Sequence, residues 1–334
     1  MKTDDDLRAE LDGETGHVET VRPKRPLTAI RLADFLAIEI PARGHVLEPV
    51  IPEQGLAMIV AKRGVGKTHV GLTLAYAIAT GGNVFDWKAP KPRSVVYLDG
   101  EMPARTMQDR LANILRASNA SVPVDFRIIT PDLVDDVLPN LADPAGQAAI
   151  NEVIASSEVV LVDNLSAWCR SGGENEADRW QVMQDWLLFL RRIGKTIILI
   201  HHAGKDGSQR GTSRREDVLD TSIELRHPHD FSPSQGARFE VHVTKCRNEF
   251  GGRLDPFEAQ LLARPDGGTE WVIKPVEDAR LIAVVELSAD GLSVRQIADE
   301  MGISTGLVAK LQKKARGEGR LPTQESENRK SSLH

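Results

Sequence analysis

The residues best suited to chemistry stand close together in AKRGVGKT, residues 61–68. Gly66, Lys67 and Thr68 fit the phosphate-loop pattern G-x-x-x-x-G-K-[ST], and Ala61 occupies the position of its first glycine. That position ends a strand, where a methyl group is small enough to be tolerated. A glycine-rich turn at the start of a helix turns its backbone N–H groups toward one point, at the positive end of the helix, and so favours an anion. The backbone of Gly64, Val65, Gly66, Lys67, Thr68 and His69 is expected to surround a triphosphate, with Lys67 reaching the β- and γ-phosphates and the Thr68 hydroxyl holding Mg²⁺. ATP and Mg²⁺ are the expected cofactors.

Phosphoryl transfer also needs a carboxylate on the metal side and a group that activates water. VVLVDN, residues 159–164, supplies the first, because Asp163 follows four apolar residues and so ends a buried strand. For the second, VYLDGEM presents Asp99 and Glu101, the latter 34 residues after Lys67. In a parallel sheet the strand ends open on one crevice at the carboxyl edge, so an acid there can orient or deprotonate the attacking water. The residues themselves leave Asp99 and Glu101 in competition.

Strands that end together must position these groups. AMIVA (57–61) is a short apolar run that ends at the glycine-rich turn, and THVGLTLAYAIAT (68–80) has helical spacing. SVVYLDG (94–100) reads as a strand, followed by a helix over 103–118. VVLVDN and TIILIHH (196–202) are continuous apolar runs, as in strands covered on both faces, and DRWQVMQDWLLFLRRIG (178–194) between them is helical. Strands alternating with helices predict a parallel α/β sheet. ARFEVHVTKCR (237–247) and residues 269–274 read as later strands compatible with antiparallel pairing, and LTAIRLADFLAIEIP (27–41) as a short amphipathic helix leading into the core.

Taken together, these stretches resemble the RecA-like hexameric helicase and AAA ATPase superfamily over residues 45–275, in particular the plasmid RepA-type helicases and the related DnaB replicative helicases. LDGEMPARTMQDRL (98–111) is similar to the family's second-strand motif, a Glu-Met pair followed by a helix bearing Arg-Leu, which implies Glu101 as catalytic base. In the family a polar residue ending the strand that IILIHHAGK (197–205) resembles senses the γ-phosphate; His202 is the nearest match and His201 the alternative. TKCRNEFGG (244–252) resembles the K-x-R motif, which implies that Lys245 and Arg247 reach a neighbouring subunit's nucleotide, with Arg247 as the finger. Such a finger stabilises charge on the transferred phosphoryl group and is worth ~10³–10⁵ in rate. The resemblance implies an α/β RecA-like P-loop NTPase core with a mainly parallel sheet flanked by helices. It also implies a homo-oligomer, expected as a hexameric ring, acting as an ATP-driven DNA helicase or translocase in replication of a plasmid, phage or mobile element. The alternative is a nucleotide-gated DNA-binding ATPase that does not unwind.

Two further segments bear on nucleic acid. AGKDGSQRGTSRRED (203–217) carries Lys205, Arg210, Arg214 and Arg215 in a glycine- and serine-rich loop. Loops after this strand line the channel of RecA-like rings, so the resemblance implies contact with single-stranded DNA; flexible cations suit phosphate contacts that do not read sequence. The loop SGGENEAD (171–178) is acidic and a poor DNA contact. In LSVRQIADEMGISTGLVAKLQKKARGEG (292–319), Ser293 caps one helix, Gly302 turns the chain and Ser304 starts a second helix. This is the spacing of a helix-turn-helix or winged-helix-like unit. Thr305, Lys310, Lys313 and Lys314 would then face duplex DNA, and a unit that only packs on the core fits the same pattern.

Composition bounds these readings. The 334 residues are 41% hydrophobic and 27% charged, ordinary globular usage with enough apolar material for a large core. Aromatic residues are scarce at 4%, which disfavours an extended stacking surface for single strands. No apolar run is long enough to span a membrane, the N-terminus lacks an apolar signal segment, and Cys169 and Cys246 cannot form a disulfide framework, so a cytoplasmic protein is expected. Charge is unevenly spread around a net −6: residues 1–20 hold seven acids against two bases, and residues 310–334 seven bases against three acids. The expected division is a disordered acidic leader (1–27), the ATPase core (28–278), the helix-turn-helix unit (279–318) and a disordered basic tail (319–334).

Overall fold

The computed structural model describes residues 27–118, 122–123, 125–170, 176–203, 216–228, 230–247 and 249–322. The expected leader up to residue 26, the basic loop residues Lys205, Arg210, Arg214 and Arg215, and the tail from residue 323 lie outside the described residues. The chain divides into residues 1–42 and 43–334. In the first unit the amphipathic run forms only a six-residue helix, Leu32–Ala37. Ile38 is already extended, and the β-branched Ile38 and Ile40 ahead of Pro41 disfavour further turns.

The second unit is built on a nine-stranded sheet. Its strands are β1 (Leu56–Ala61), β2 (Val95–Asp99), β3 (Phe126–Ile129), β4 (Val159–Asp163), β5 (Thr196–His202), β6 (Thr221–Arg226), β7 (Arg238–Cys246), β8 (Phe257–Ala263) and β9 (Thr269–Pro275). The spatial order is β9-β8-β7-β6-β1-β5-β4-β2-β3. From β6 across to β3 every pairing is parallel. β7, β8 and β9 extend the β6 side with antiparallel pairings. The apolar runs of the sequence are the central strands, as the burial of both faces requires. Three strands were not among those expected: β3, an edge strand with no fully buried residue, and β6 and β8, whose apolar residues are interrupted by Ser222, Glu224, Arg226, Glu258 and Gln260.

Side chains alternate between the two faces with the period of the pleat. Ala57, Ile59, Tyr97, Leu161, Ile198 and Ile200 pack on one side with α1 (Lys67–Thr80). Met58, Val60, Leu98, Val160, Val162 and Leu199 pack on the other with α3 (Pro144–Ile154) and α4 (Glu176–Arg192). The helix after β2, α2 (Ala104–Ser118), joins the first side through Met107, Leu111 and Ile114. The result is a mostly parallel sheet covered by helices on both faces.

A C-terminal set of helices has its own apolar cluster. α5 (Val276–Ala289), α6 (Val294–Met301) and α7 (Thr305–Gly317) converge on Leu281, Val284, Ile297, Val308 and Leu311. The first of these helices begins at Val276, where Pro275 closes β9 and stands as the N-cap of α5. Ser293 and Gln296 form a reciprocal capping box, Gly302 takes the left-handed conformation that ends α6, and Ser304 caps α7.

Close packing of α1 on the sheet depends on Gly71. A Cβ built there falls 2.5 Å from Ile200 Cδ1 and 3.0 Å from the Tyr97 hydroxyl. Gly71→Leu should therefore lower stability by about 1–3 kcal/mol, the usual cost of overpacking a core. Chemical denaturation checks this; an unchanged midpoint would mean that α1 does not sit on the sheet as described.

Candidate functional site

β1, β4, β2 and β5 all end at one edge of the sheet, and the groups at their ends meet there. Ala61 is in register with His202, Asp163 with Ile200, and Asp99 with Asp163. The turn after β1 needs glycine at two points: Gly64 (φ 82°) and Gly66 (φ 117°) adopt backbone angles that other residues resist. At Gly66 space is also short, since a Cβ would lie 3.1 Å from Ala237 Cβ and 3.2 Å from Phe239 Cε1. Gly66 is the N-cap of α1, so the first free amides of that helix face the loop. Val65 packs its side chain in the core, so it can serve a ligand only through its backbone.

Lys67 is almost fully buried. Its Nζ donates to the carbonyl oxygens of Ala61 at 2.9 Å and Lys62 at 2.7 Å. Burial pulls its pKa down to about 8, against the opposing pull of Asp163 and Glu101. Asp163, also buried, accepts from the Tyr97 hydroxyl at 2.7 Å. Burial raises the Asp163 pKa, while its hydrogen bonds to Tyr97 and Thr68 and the nearby Lys67 charge restrain the rise. Thr68 and Asp163 thus form an oxygen-only pair beside the loop, the donor chemistry that Mg²⁺ takes. The described residues contain no cluster of three acidic, histidine or cysteine ligands. An ion held here would complete its shell with phosphate oxygens and water.

Hydrogen bonding distinguishes Asp99 from Glu101. Asp99 accepts from the backbone N–H groups of Glu101 and Met102 and from the Thr130 hydroxyl. It shapes the turn after β2 and has little capacity left for substrate. Glu101 is 58% exposed, with Oε2 4.0 Å from His202 Nε2. His202 is therefore the histidine beside the acid. Burial and the Lys67 charge lower its pKa, and its Nδ1 is buried with no hydrogen-bond partner among the described residues.

A cavity of about 590 Å³ opens over the loop, lined by Gly64, Gly66, Lys67, Thr68, His69 and His202 together with residues that the sequence did not single out. Arg110 of α2 lines it, and burial lowers the Arg110 pKa; only the Arg-Leu pair in LDGEMPARTMQDRL had marked that position. His227, Phe231, Pro233, Gly236 and Ala237, from the turn between β6 and β7, form another part of the wall. The sequence marks residues 228–237 only as a polar break between strands, with no sign of a ligand site. His69 is driven down to about 4 by burial and then by Arg110, which leaves it neutral at pH 7.

Lys245 and Arg247 do not join this cavity. Cys246 pairs with Thr221, which pairs with Ala57, so both lie toward the start of β1, about 13 Å of strand from the phosphate loop. Lys245 Nζ donates to the Glu216 carbonyl and Arg247 Nη2 to the Asp217 carbonyl. Among the C-terminal candidates Thr305, Lys310 and Lys313 are exposed on α7, while Lys314 is half-buried.

A strand, a glycine turn closing on a buried lysine, and an acid two strands away define a P-loop nucleotide-binding protein. The chain matches the AAA domain family (AAA_25) over residues 20–208 and belongs to it. It is also similar to two solved archaeal structures. One is the flagellar accessory protein FlaH of Methanocaldococcus jannaschii, at 14% identity over 67% of this chain and 92% of that one, with a TM-score of 0.45. The other is a KaiC-like protein of Pyrococcus horikoshii OT3, at 16% identity over 69% and 94%, with a TM-score of 0.45. No helix among the described residues is long and apolar enough to cross a membrane.

The buried ammonium has a consequence for stability. The unfolded chain holds the Lys67 proton up to its ordinary pKa of 10.5, the folded one only to about 8. Between those values the unfolded state binds more protons, so this group makes ligand-free stability rise with pH over that window. Lys67→Met, which keeps the stem and removes the charge, should raise Tm at pH 7 and flatten the rise. Thermal unfolding of the nucleotide-free protein from pH 7 to pH 10.5 checks both; a lower Tm at pH 7 would show that the ammonium is a net stabiliser.

Proposed function

We propose that the protein is an ATP-hydrolysing, ring-forming motor on DNA, a RecA-like helicase or translocase of the plasmid RepA type acting in replication of a plasmid, phage or mobile element. The observation that carries this reading is the division of the machinery between two edges of the sheet. Lys67, Thr68, Glu101, Asp163 and His202 gather at one edge, while Lys245 and Arg247 stand near the other. A cation so far from its own phosphate loop serves hydrolysis when another subunit presents its loop to it. A closed ring of like subunits, proposed as a hexamer, supplies each site with that cation.

In this reading the loop amides and Lys67 hold the β- and γ-phosphates. Thr68 and Asp163 would hold Mg²⁺, which would supply positive charge beside the phosphates. Glu101 accepts the proton of the attacking water, and its exposure leaves it free to do so. His202 follows the state of that acid. Arg247 of a neighbour stabilises charge on the transferred group. Lys205, Arg210, Arg214 and Arg215 follow His202 directly in the chain and would contact the strand in the channel. Thr305, Lys310, Lys313 and Lys314 on α7 would contact duplex DNA.

The C-terminal helices, with their own apolar cluster and exposed lysines on α7, favour one second reading: an ATPase that binds DNA under nucleotide control and does not unwind it. Strand displacement on a forked substrate separates the two, since only the motor releases the strand.

Glu101→Gln should leave nucleotide binding intact and cut turnover by about 10²–10⁴-fold. Arg247→Ala, mixed with wild type, should depress ATPase activity more than in proportion to the mutant fraction. Steady-state phosphate release with and without single-stranded DNA measures both. A proportional loss in the mixture would exclude the shared site, and no DNA stimulation would exclude the motor.

A further inference from the structure

The turn between β6 and β7 holds two rings that the catalytic reading leaves unused. His227 and Phe231 are stacked, with ring centroids 3.6 Å apart and planes inclined by 16°. Both line the cavity over the phosphate loop. Each is half-buried, so the pair keeps ring surface accessible. We infer that this pair is the platform on which the base of the bound nucleotide stacks, and that it gives the chain a preference for purine over pyrimidine nucleotides. The inference rests on the phosphate-loop reading of the same cavity.

Three observations carry it. The turn lies against the loop, as the close approach of Ala237 and Phe239 to Gly66 shows. Turn and loop line one cavity, so a nucleotide with its phosphates on the loop can reach the turn with its base. Second, hydrogen bonds within the fold brace the platform. A carbonyl only accepts, so His227 Nδ1 donates to the Arg238 carbonyl at 3.0 Å, which fixes the ring. Arg238 is itself held by Glu258 at 2.7 Å and by both carboxylate oxygens of Asp230 at 3.0 Å. A surface ordered in advance loses little entropy when a base settles on it.

Third, the side chains of the neighbouring wall cannot read base edges. Pro233, Gly236 and Ala237 complete this side of the cavity, and none has a side-chain hydrogen-bonding group. At 3.6 Å the two rings are already in contact, so a base cannot enter between them and must use an outer face. Selection then follows stacking area: adenine and guanine, with two fused rings, are held alike and better than cytosine and uracil. The stretch matched to the AAA domain family ends at residue 208, upstream of this turn.

Calorimetric titration with ADP, GDP, CDP, UDP and inorganic pyrophosphate, each with Mg²⁺, tests this without turnover. ADP and GDP should bind within about threefold of each other, and CDP and UDP about fivefold or more weaker. Phe231→Ala should erase the purine advantage and leave pyrophosphate affinity unchanged, while Phe231→Tyr, which keeps the ring, should retain the advantage. Equal affinity for all four diphosphates in the wild type, or a purine advantage that survives Phe231→Ala, overturns the platform while pyrophosphate binding upholds the loop. Failure to bind pyrophosphate and ADP alike overturns the phosphate-loop reading and the platform with it.

Discussion

An ammonium group withdrawn from water must find partners, and Lys67 finds them in the carbonyls of its own loop. Much of the site follows from that constraint. The loop can curl over the lysine because Gly64 and Gly66 supply the backbone angles. Asp163 and Glu101 lie near enough to favour the charged form without bonding to it directly. The lysine is therefore held by acceptors that an anionic ligand can replace. A phosphate oxygen offers a stronger partner than a peptide carbonyl because it carries charge, so binding exchanges one set of partners for another with little new desolvation.

The sheet separates this chemistry from the rest of the chain. One edge collects the ends of β1, β2, β4 and β5, whose central residues are apolar. Two buried carboxylates lie side by side there and do different work: Asp163 faces Tyr97 and Thr68, while Asp99 is consumed by the amides of the turn. The antiparallel extension carries Lys245 and Arg247 toward the other edge and Phe239 back to the phosphate loop. A single strand, β7, thus begins beside the phosphate loop, where Phe239 approaches Gly66, and runs to Lys245 near the opposite edge.

Local patterns accounted for much of the architecture. The continuous apolar runs, the glycine turn and the helical spacing after it are each properties of a few adjacent residues, and the central strands and α1 follow from them. β3 was not legible because none of its four residues is fully buried, and β6 was not because Glu224 and Arg226 interrupt its apolar residues. Tyr97 was not legible as the partner of Asp163, because their contact depends on β2 lying next to β4. Strand order is not written in any one segment.

The sequence by itself determined that a phosphate loop lies between a strand and a helix, and that acids end the strands which follow. Those are short-range facts, governed by side-chain type and spacing. Only the tertiary structure decided which acid is free and which is bound to the backbone, that His202 is the histidine beside Glu101, and that the turn carrying His227 and Phe231 closes over the loop. These depend on residues far apart in the chain meeting across neighbouring strands, where burial and hydrogen bonding assign each group its role.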